Sequence, residues 1–444
     1  MVRLLLLLLG VAATTASCAS AQPPVASPVT GRILSATGAA ARIHAPGVAE
    51  VPPTVDARDG LSSDEAVATA LWNNAAFQVT LSQLGFARAD LVDAGLLTNP
   101  VLSLLFPLGP KQLEATVRWP IEVLWERPKR RAAAQLALDA TANSLVQSGL
   151  DLALAVRVSH ADYALAIDRQ RLATETAAAL ERIDTLTQSR LAAGDIGALE
   201  ARVARVDAAR GRQDADRAAH EVRLARERLR LLMGLAADDP VVDQIQASPA
   251  PDACGAAADL LPHALAARPD VRAAEIAVEA AGARLGWERR RVLAFTAVLD
   301  ANGQGTQGFE AGPGVDVGLP IFNRNQGGRL RAETELQRAS AAYVAIQQQV
   351  GLDVRESVTL LEQARESRTA WRTTLVTPLE ANLADAEDAY RAGDSSFLFV
   401  LENSRRLIEA RLRERELAAD ETRALARIER AIGAKCAPPA GDTR

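Results

Sequence analysis

Three short stretches of the chain alternate between apolar and polar residues, and most of the sequence between them repeats at helical spacing. In Gln112–Trp119, Leu113, Ala115, Val117 and Trp119 share one face, and Gln112, Glu114, Thr116 and Arg118 share the other. In 314–319, Val315, Val317 and Leu319 oppose Asp316 and the glycines. In 293–302, Phe295, Ala297 and Leu299 oppose Thr296 and Asp300, with Val298 intruding on the polar side. Residues 99–106 and 112–121 flank a Pro/Gly turn, "PLGPK", and 293–302 and 312–321 flank a second glycine-rich turn, so two β-hairpins are predicted.

Each second strand runs directly into helical sequence. "RWPIEVLWERPKRRAAAQ" (118–135) makes the switch once, and "GLPIFNRNQGGRLRAETE" (318–335) makes it again about 200 residues later. The Pro-free stretch from Lys129 to Asp239 is broken only by "AAGDIG" (192–197). Its first arm alone predicts a helix on the order of 100 Å, too long for a compact globule. "RAGDSS" (391–396) breaks the second half at an offset of 199, and a kink is expected at Pro378. Ser62 or Ser63, with Glu65, predicts a capped helix over 62–95, and 257–286 is its counterpart. The chain therefore divides into a signal peptide (1–21), an extended tether (22–60), repeat 1 (61–238), a linker (239–256), repeat 2 (257–435) and a tail (436–444). Each repeat reads as helix, β-hairpin and long helical hairpin, a mainly α fold with a small β part.

Composition agrees with long rods. Aromatic residues make up only 4%, and Ala, Arg, Leu and Glu dominate. Fifty Lys and Arg against fifty-five Asp and Glu are interspersed, for a net charge of −5, and no basic tract suggests a nucleic-acid partner. Arg3, the Leu4–Leu9 run and the small residues after it describe a secretory signal. Cleavage is expected before Cys18, as in a lipoprotein with Cys18 lipidated, or before Gln22. Cys254 and Cys436 close the two repeats at similar positions and form a disulfide candidate; two separate thiols are the alternative.

Enzyme and cofactor motifs fail on context. "GQGTQG" (303–308) spells a dinucleotide fingerprint but is followed by a strand, not by the helix that would hold a pyrophosphate. His44, His160, His220 and His263 have no ligand spacing, so neither metal nor cofactor is expected, and no nucleophile–base set suggests catalysis. The alternating strands fit a transmembrane β-barrel, apolar outward and polar inward, although a soluble sheet packed on helices alternates in the same way. Four strands cannot close an outer-membrane barrel, so several chains would have to pool them.

"LPIFNRNQGG" (319–328), "YRAGDSSFLFVLENSRRLIEAR" (390–411) and the duplicated layout resemble the TolC-like outer membrane efflux family over residues 62–435. Residues 324–327 look most like its CzcC-type heavy-metal branch. The resemblance implies a homotrimer, with a 12-stranded β-barrel in outer membrane lipid continuing into a periplasmic α-helical barrel. It implies a passive export duct, not an enzyme, working with a periplasmic adaptor and an inner-membrane pump. The tips at Gly194, Asp195, Gly393 and Asp394 would dock the adaptor, although capping is the simpler role for the two aspartates. Glu402, Phe399 and Glu200 are candidate constriction residues, with Phe399 standing where the family carries an acid. Heavy-metal cations are the favoured cargo; drug or polypeptide export, or a periplasmic coiled-coil adaptor or scaffold, are the alternatives.

Overall fold

The computed structural model describes residues 28–42, 49–56, 58–106, 113–236, 242, 244–246, 257–291, 294–303 and 308–436. The signal segment with Cys18, the first hairpin turn, most of the linker with Cys254, and most of the tail lie outside them.

The elements are α1 (Pro28–Thr37), α2 (Ser63–Asn73), α3 (Ala75–Gly95), β1 (Val101–Leu105), β2 (Leu113–Pro120), α4 (Val123–Ala193) and α5 (Ala198–Met233) in the first repeat. The second repeat has α6 (Ala257–Ala267), α7 (Pro269–Glu288), β3 (Ala294–Gly303), β4 (Phe309–Gly318), α8 (Gln326–Trp371), a π-helical turn (Arg372–Val376), α9 (Thr377–Ala392) and α10 (Phe397–Ile432). At 71 residues, α4 is about 106 Å long.

Four helix ends prove the duplication at the level of single hydrogen bonds. At Gly194, Gly234, Gly393 and Gly433 the backbone turns left-handed, with φ of 82°, 67°, 85° and 73°. The following N–H reaches back five residues each time: Asp195 to Arg190, Leu235 to Arg230, Asp394 to Ala389, and Ala434 to Glu429. This is the Schellman closure, and glycine stands there because a Cβ disfavours that conformation. The two tips are 199 residues apart, and so are the two lower ends.

The tight cap of α2 is as expected: Ser62 Oγ accepts from Glu65 N, while Glu65 returns a bond to Ser62 N at 2.9 Å. Other expectations change. Residues 22–60 are not simply a tether, because α1 lies within them. Val29 and Ile33, one turn apart, bury against α4, with Ile33 packed at Gly149, and so short an amphipathic segment shows no period. The helix expected over 62–95 breaks at Asn74, whose side chain accepts from Phe77 N and donates to Leu232 O at 2.8 Å. Its counterpart breaks at Arg268–Pro269. The kink expected at Pro378 lies just before it, as the π-helical turn, and the helix restarts with the proline in its first turn, where no N–H is needed. The last strand runs Phe309–Gly318, three residues earlier than its alternation suggested, because pairing with β3 fixes its register.

Each repeat buries its own core. Leu71, Leu145, Leu229 and Met233 anchor one, and Leu260, Val354, Ile428 and Ile432 the other. Ion pairs join the repeats along α4 and α10: Arg169–Glu416 at 2.8 Å, Arg423–Asp162 at 2.5 Å, Arg430–Asp151 at 2.8 Å, and Arg157 with Glu429. Arg268 is 1% exposed and held by Asp270 at 2.6 Å and Asp353 at 2.9 Å. His160 is buried with Nε2 2.9 Å from Leu61 O, and desolvation lowers its pKa. Cys436 is disulfide-bonded.

Two of the glycines separate conformation from crowding. A Cβ on Gly234 would stand 2.4 Å from Asn73 O, whereas one on Gly194 would meet open space. Gly194→Ala is expected to cost about 1–2 kcal/mol, the left-handed penalty alone. Gly234→Ala should cost clearly more, because backbone must also shift; equal losses in unfolding experiments would refute this reading.

Candidate functional site: the membrane sheet and the helical tips

The strands form one antiparallel sheet in the order β1-β2-β3-β4. Directly paired residues share a face, so the register sorts the side chains. On one face stand the rows Leu102–Val117–Leu299–Pro313, Leu104–Ala115–Ala301–Ala311, Trp119–Ala297–Val315 and Phe295–Val317. On the other stand Ser103–Thr116–Asp300–Gly312, Leu105–Glu114–Asn302–Glu310 and Thr296–Asp316, with Val101–Arg118–Val298–Gly314. The first face is wholly apolar. The second is largely polar and carries four carboxylates against one arginine.

The face assignments made for Val117, Leu299, Val315 and their neighbours hold in β2, β3 and β4, and pairing extends them to β1. The polar network does not show in any one strand: Thr116 Oγ1 donates to Asp300 Oδ1 at 2.8 Å, and Asn302 Nδ2 to Asp300 Oδ2 at 2.9 Å. Among the described residues no helix covers the apolar face, since Leu102 is 60% exposed and Val315 61%. The alternation is therefore not that of a sheet shielded by the described helices.

Aromatic rings bracket the sheet. Phe106 and Phe309 lie exposed at the end far from the helices. At the near end, Trp125 meets Phe295 edge-on at 5.8 Å, Trp119 Nε1 donates to Thr98 O at 2.8 Å, and Phe322 is exposed. A ten-residue strand tilted about 40° spans roughly 25 Å, the apolar band of a membrane barrel. Trp125 and Phe295 become partners only through the fold.

The strand-to-helix joints are pinned differently in the two repeats. In the first, Arg127 Nε donates to Gly95 O at 2.6 Å and Arg130 to Leu96 O at 3.2 Å. In the second, Asn325 adopts φ 60°, and its amide donates to Glu288 O at 3.0 Å and Glu288 Oε2 at 2.6 Å. A Cβ on Gly328 would come 2.3 Å from Asn325 Oδ1, so the "RNQGG" run is a latch in which the second glycine leaves room for the asparagine. The strands on either side of residues 304–307 are antiparallel neighbours, so a strand and not a helix follows "GQGTQG".

At the opposite end of the rods, Gly194 and Gly393 turn the two hairpin tips. Asp195 and Asp394 do not cap the returning helices, contrary to the simpler expectation. Gly197 begins α5 with no side-chain cap, and Ser396 begins α10 by accepting from Phe399 N, because the Schellman turn places each aspartate two residues ahead of the cap. Tyr390 and Phe397 pack across the second tip at 5.4 Å.

Phe399 is 55% exposed, and Glu200 lies exposed at its equivalent position 199 residues earlier. Acid and aromatic thus alternate between the repeats at one level. Glu402 lies in the next turn, bonded to Arg405 at 3.0 and 3.2 Å and to Arg406 at 3.1 Å; the Arg405 hydrogen bond leads in holding its carboxyl below the usual range. Cys18 and Cys254 lie outside the described residues, and among those described no cluster of His, Cys, Asp and Glu could hold a metal ion.

An amphipathic antiparallel sheet with two unpaired edges, set between aromatic belts and continued by rods of about 100 Å, defines a membrane channel subunit. Residues 260–434 match the family described as "Outer membrane efflux protein". The cobalt-zinc-cadmium resistance protein CzcC of Cupriavidus metallidurans is 26% identical over 388 residues, 85% of this chain and 91% of CzcC. The toluene efflux pump outer membrane protein TtgF of Pseudomonas putida is 30% identical over 304 residues, 64% of this chain and 61% of TtgF. The Campylobacter jejuni CmeC outer membrane channel superposes with a TM-score of 0.70 at 14% identity, over 88% of this chain and 90% of CmeC. The second repeat thus matches the outer membrane efflux proteins, and the chain as a whole is similar to TolC-like outer membrane channels. It is an outer membrane efflux channel whose helices extend into the periplasm. The adaptor or scaffold reading does not fit a sheet of this construction.

The register makes neighbouring residues behave oppositely. Val117→Arg puts a charge on the apolar face near mid-strand and should cost about 2–4 kcal/mol of membrane stability. Thr116→Arg, one residue away on the polar face, should leave the protein in the outer membrane fraction. If both variants fractionate alike, the face assignment is wrong.

Proposed function

We propose that three copies close this sheet into a 12-stranded barrel and that the assembly is the passive outer membrane duct of a tripartite pump exporting heavy-metal cations. The observation that carries the reading is the register: an apolar face with no cover, a polar face rich in carboxylates, and free edges on β1 and β4. Unpaired strand edges are not tolerated in hydrocarbon, so β4 of one copy must meet β1 of the next. The duct does no chemistry; an inner-membrane pump supplies the energy, and a periplasmic adaptor engages the tips around Gly194, Asp195, Gly393 and Asp394.

Similarity to CzcC over most of both chains favours metal cations, and the four carboxylates on the polar face suit cationic cargo. The second reading, export of organic compounds, draws on the shorter match to TtgF. Deletion of the gene should sensitise cells to cobalt, zinc or cadmium and leave tolerance of organic solvents unchanged. Solvent sensitivity without metal sensitivity would reverse the assignment.

Phe399, Glu200 and Glu402 form the constriction in this reading, with Glu402 as its carboxylate. Closing a ring of three carboxylates is opposed by their mutual repulsion, and Arg405 and Arg406 offset part of it. Removing the acid leaves those arginines without it. Glu402→Ala should therefore raise single-channel conductance and weaken block by multivalent cations in planar bilayers; traces indistinguishable from wild type would remove Glu402 from the gate.

A further inference from the structure

We propose, on the basis of the three-copy barrel, that α5 of one copy seats on the uncovered face of α8 of the next. Leu224 then lies against Leu360, and Leu231 against Gln349 and Leu352. The occupant of each face is a second copy of this chain, and leucines stand in this seam where ion pairs stand in the seam inside each copy.

The duplicated fold already contains the contact once. Within one copy, α4 is packed by α3 and α5 of its own repeat and by α7 and α10 of the other. Its counterpart α8 is packed by α7 and α10 of its own repeat, and among the described residues nothing equivalent arrives from the other. The strands say which neighbour supplies it. β2 continues into α4 and pairs with β3, which α7 precedes. In the closed barrel, β4 continues into α8 and pairs with β1 of the next copy, which α3 precedes. That copy therefore brings its α3 and α5 to α8. The contact joins two different surfaces, so it repeats around a ring.

Residue equivalence shows that the faces are open. Counterparts on α5 and α10 lie 199 residues apart; on α4 and α8 above the π-helical turn they lie 198 apart, because that turn takes up one extra residue. Val156 and Val354, Tyr163 and Leu361, and Ala166 and Ala364 are accordingly buried in both repeats. Leu150, Ala161, Leu165 and Leu172 of α4 are at most 6% exposed, whereas their counterparts Gln348, Thr359, Gln363 and Ala370 of α8 are exposed. On α3, Val79 is exposed where Ala273 of α7 is buried.

The chemistry of the two seams differs. One face of α10, at heptad spacing, carries Glu416, Ala419, Arg423, Ala426 and Arg430. The alanines are buried, and the charged residues hold Arg169, Asp162 and Asp151 of α4. The same face of α5 carries Arg217, His220, Leu224, Glu227 and Leu231, all of them exposed. Leu231 reaches 77%. Opposite, Arg169, Asp162 and Asp151 give way to Ser367, Leu360 and Gln349 of α8. Arg423–Asp162 thus becomes Leu224–Leu360, and Arg430–Asp151 becomes Leu231–Gln349, with exposed Leu352 one turn along. Arg217 meets Ser367 beside the exposed Glu366. Leucines left in water gain by burial, whereas hydrated ion pairs gain little and are screened by salt.

The test uses the full-length protein in detergent. Leu224→Cys with Leu360→Cys, treated with a short bismaleimide, should give covalent dimers and trimers on denaturing gels. Neither single variant should do so, nor should Leu224→Cys with Val344→Cys, which lies about 24 Å further along α8. Leu224→Arg should weaken trimer association about tenfold in native mass spectrometry. Adding Leu360→Asp rebuilds between copies the pair that Arg423 and Asp162 make within one, and should restore association. No intermolecular product from the Leu224/Leu360 pair, unchanged association in Leu224→Arg, or failure of the added aspartate to restore it overturns the seam. In each of these cases a wild-type trimer leaves the three-copy barrel standing; a wild-type monomer would bring down both.

Discussion

Hydrocarbon offers no hydrogen-bond partners, and every backbone N–H and C=O placed in it must be satisfied by the protein. This chain brings four strands, enough to satisfy the interior of a sheet and too few to satisfy its edges. Its apolar face has the same incompleteness, being wide, uncovered and bounded by aromatic residues. Both deficits are removed by one operation, closing the sheet with further copies in lipid. In the proposed barrel the long helices would inherit their placement from that closure, since each follows a strand end that the barrel would fix.

The duplication is strict where the backbone turns and loose where side chains meet. The same left-handed glycine closure recurs at both tips and at both lower ends, because a helix that must reverse has few ways to satisfy its last carbonyls. The joints and cores are free to differ. One repeat pins its strand–helix joint with arginines to carbonyls; the other uses an asparagine in left-handed geometry against a buried glutamate. One repeat keeps its long helix unbroken for 71 residues, while the other inserts a π-helical turn beside Val376, Leu407 and Ala410. A wall made of such repeats is only quasi-symmetric. The offset of Glu200 against Phe399 shows the same departure at the tips, where a ring would alternate acid with aromatic around its circumference.

Much of this was legible in the residues. Alternation in "QLEATVRW" and "GVDVGL" assigned faces that pairing then confirmed, because a strand side chain has only two sides to choose from. Glycines at 194 and 393, with apolar periodicity on both sides, placed the tips. Ser62 and Glu65 identified a helix start. Less visible was anything resting on partners far away in the chain: α1, stabilised by Gly149 and its surroundings; the break at Asn74, which exists to reach Leu232; and the pairing of Trp125 with Phe295.

Sequence by itself determined the periods, the breaks and the repeat, since these depend on local sterics and on the spacing of apolar residues within a single element. Tertiary structure alone decided which strand neighbours which, that all four apolar faces coincide, and that Thr116, Asp300 and Asn302 form one polar network. Those outcomes depend on register between segments about 200 residues apart, and a shift of one residue would have inverted a face without altering any local propensity.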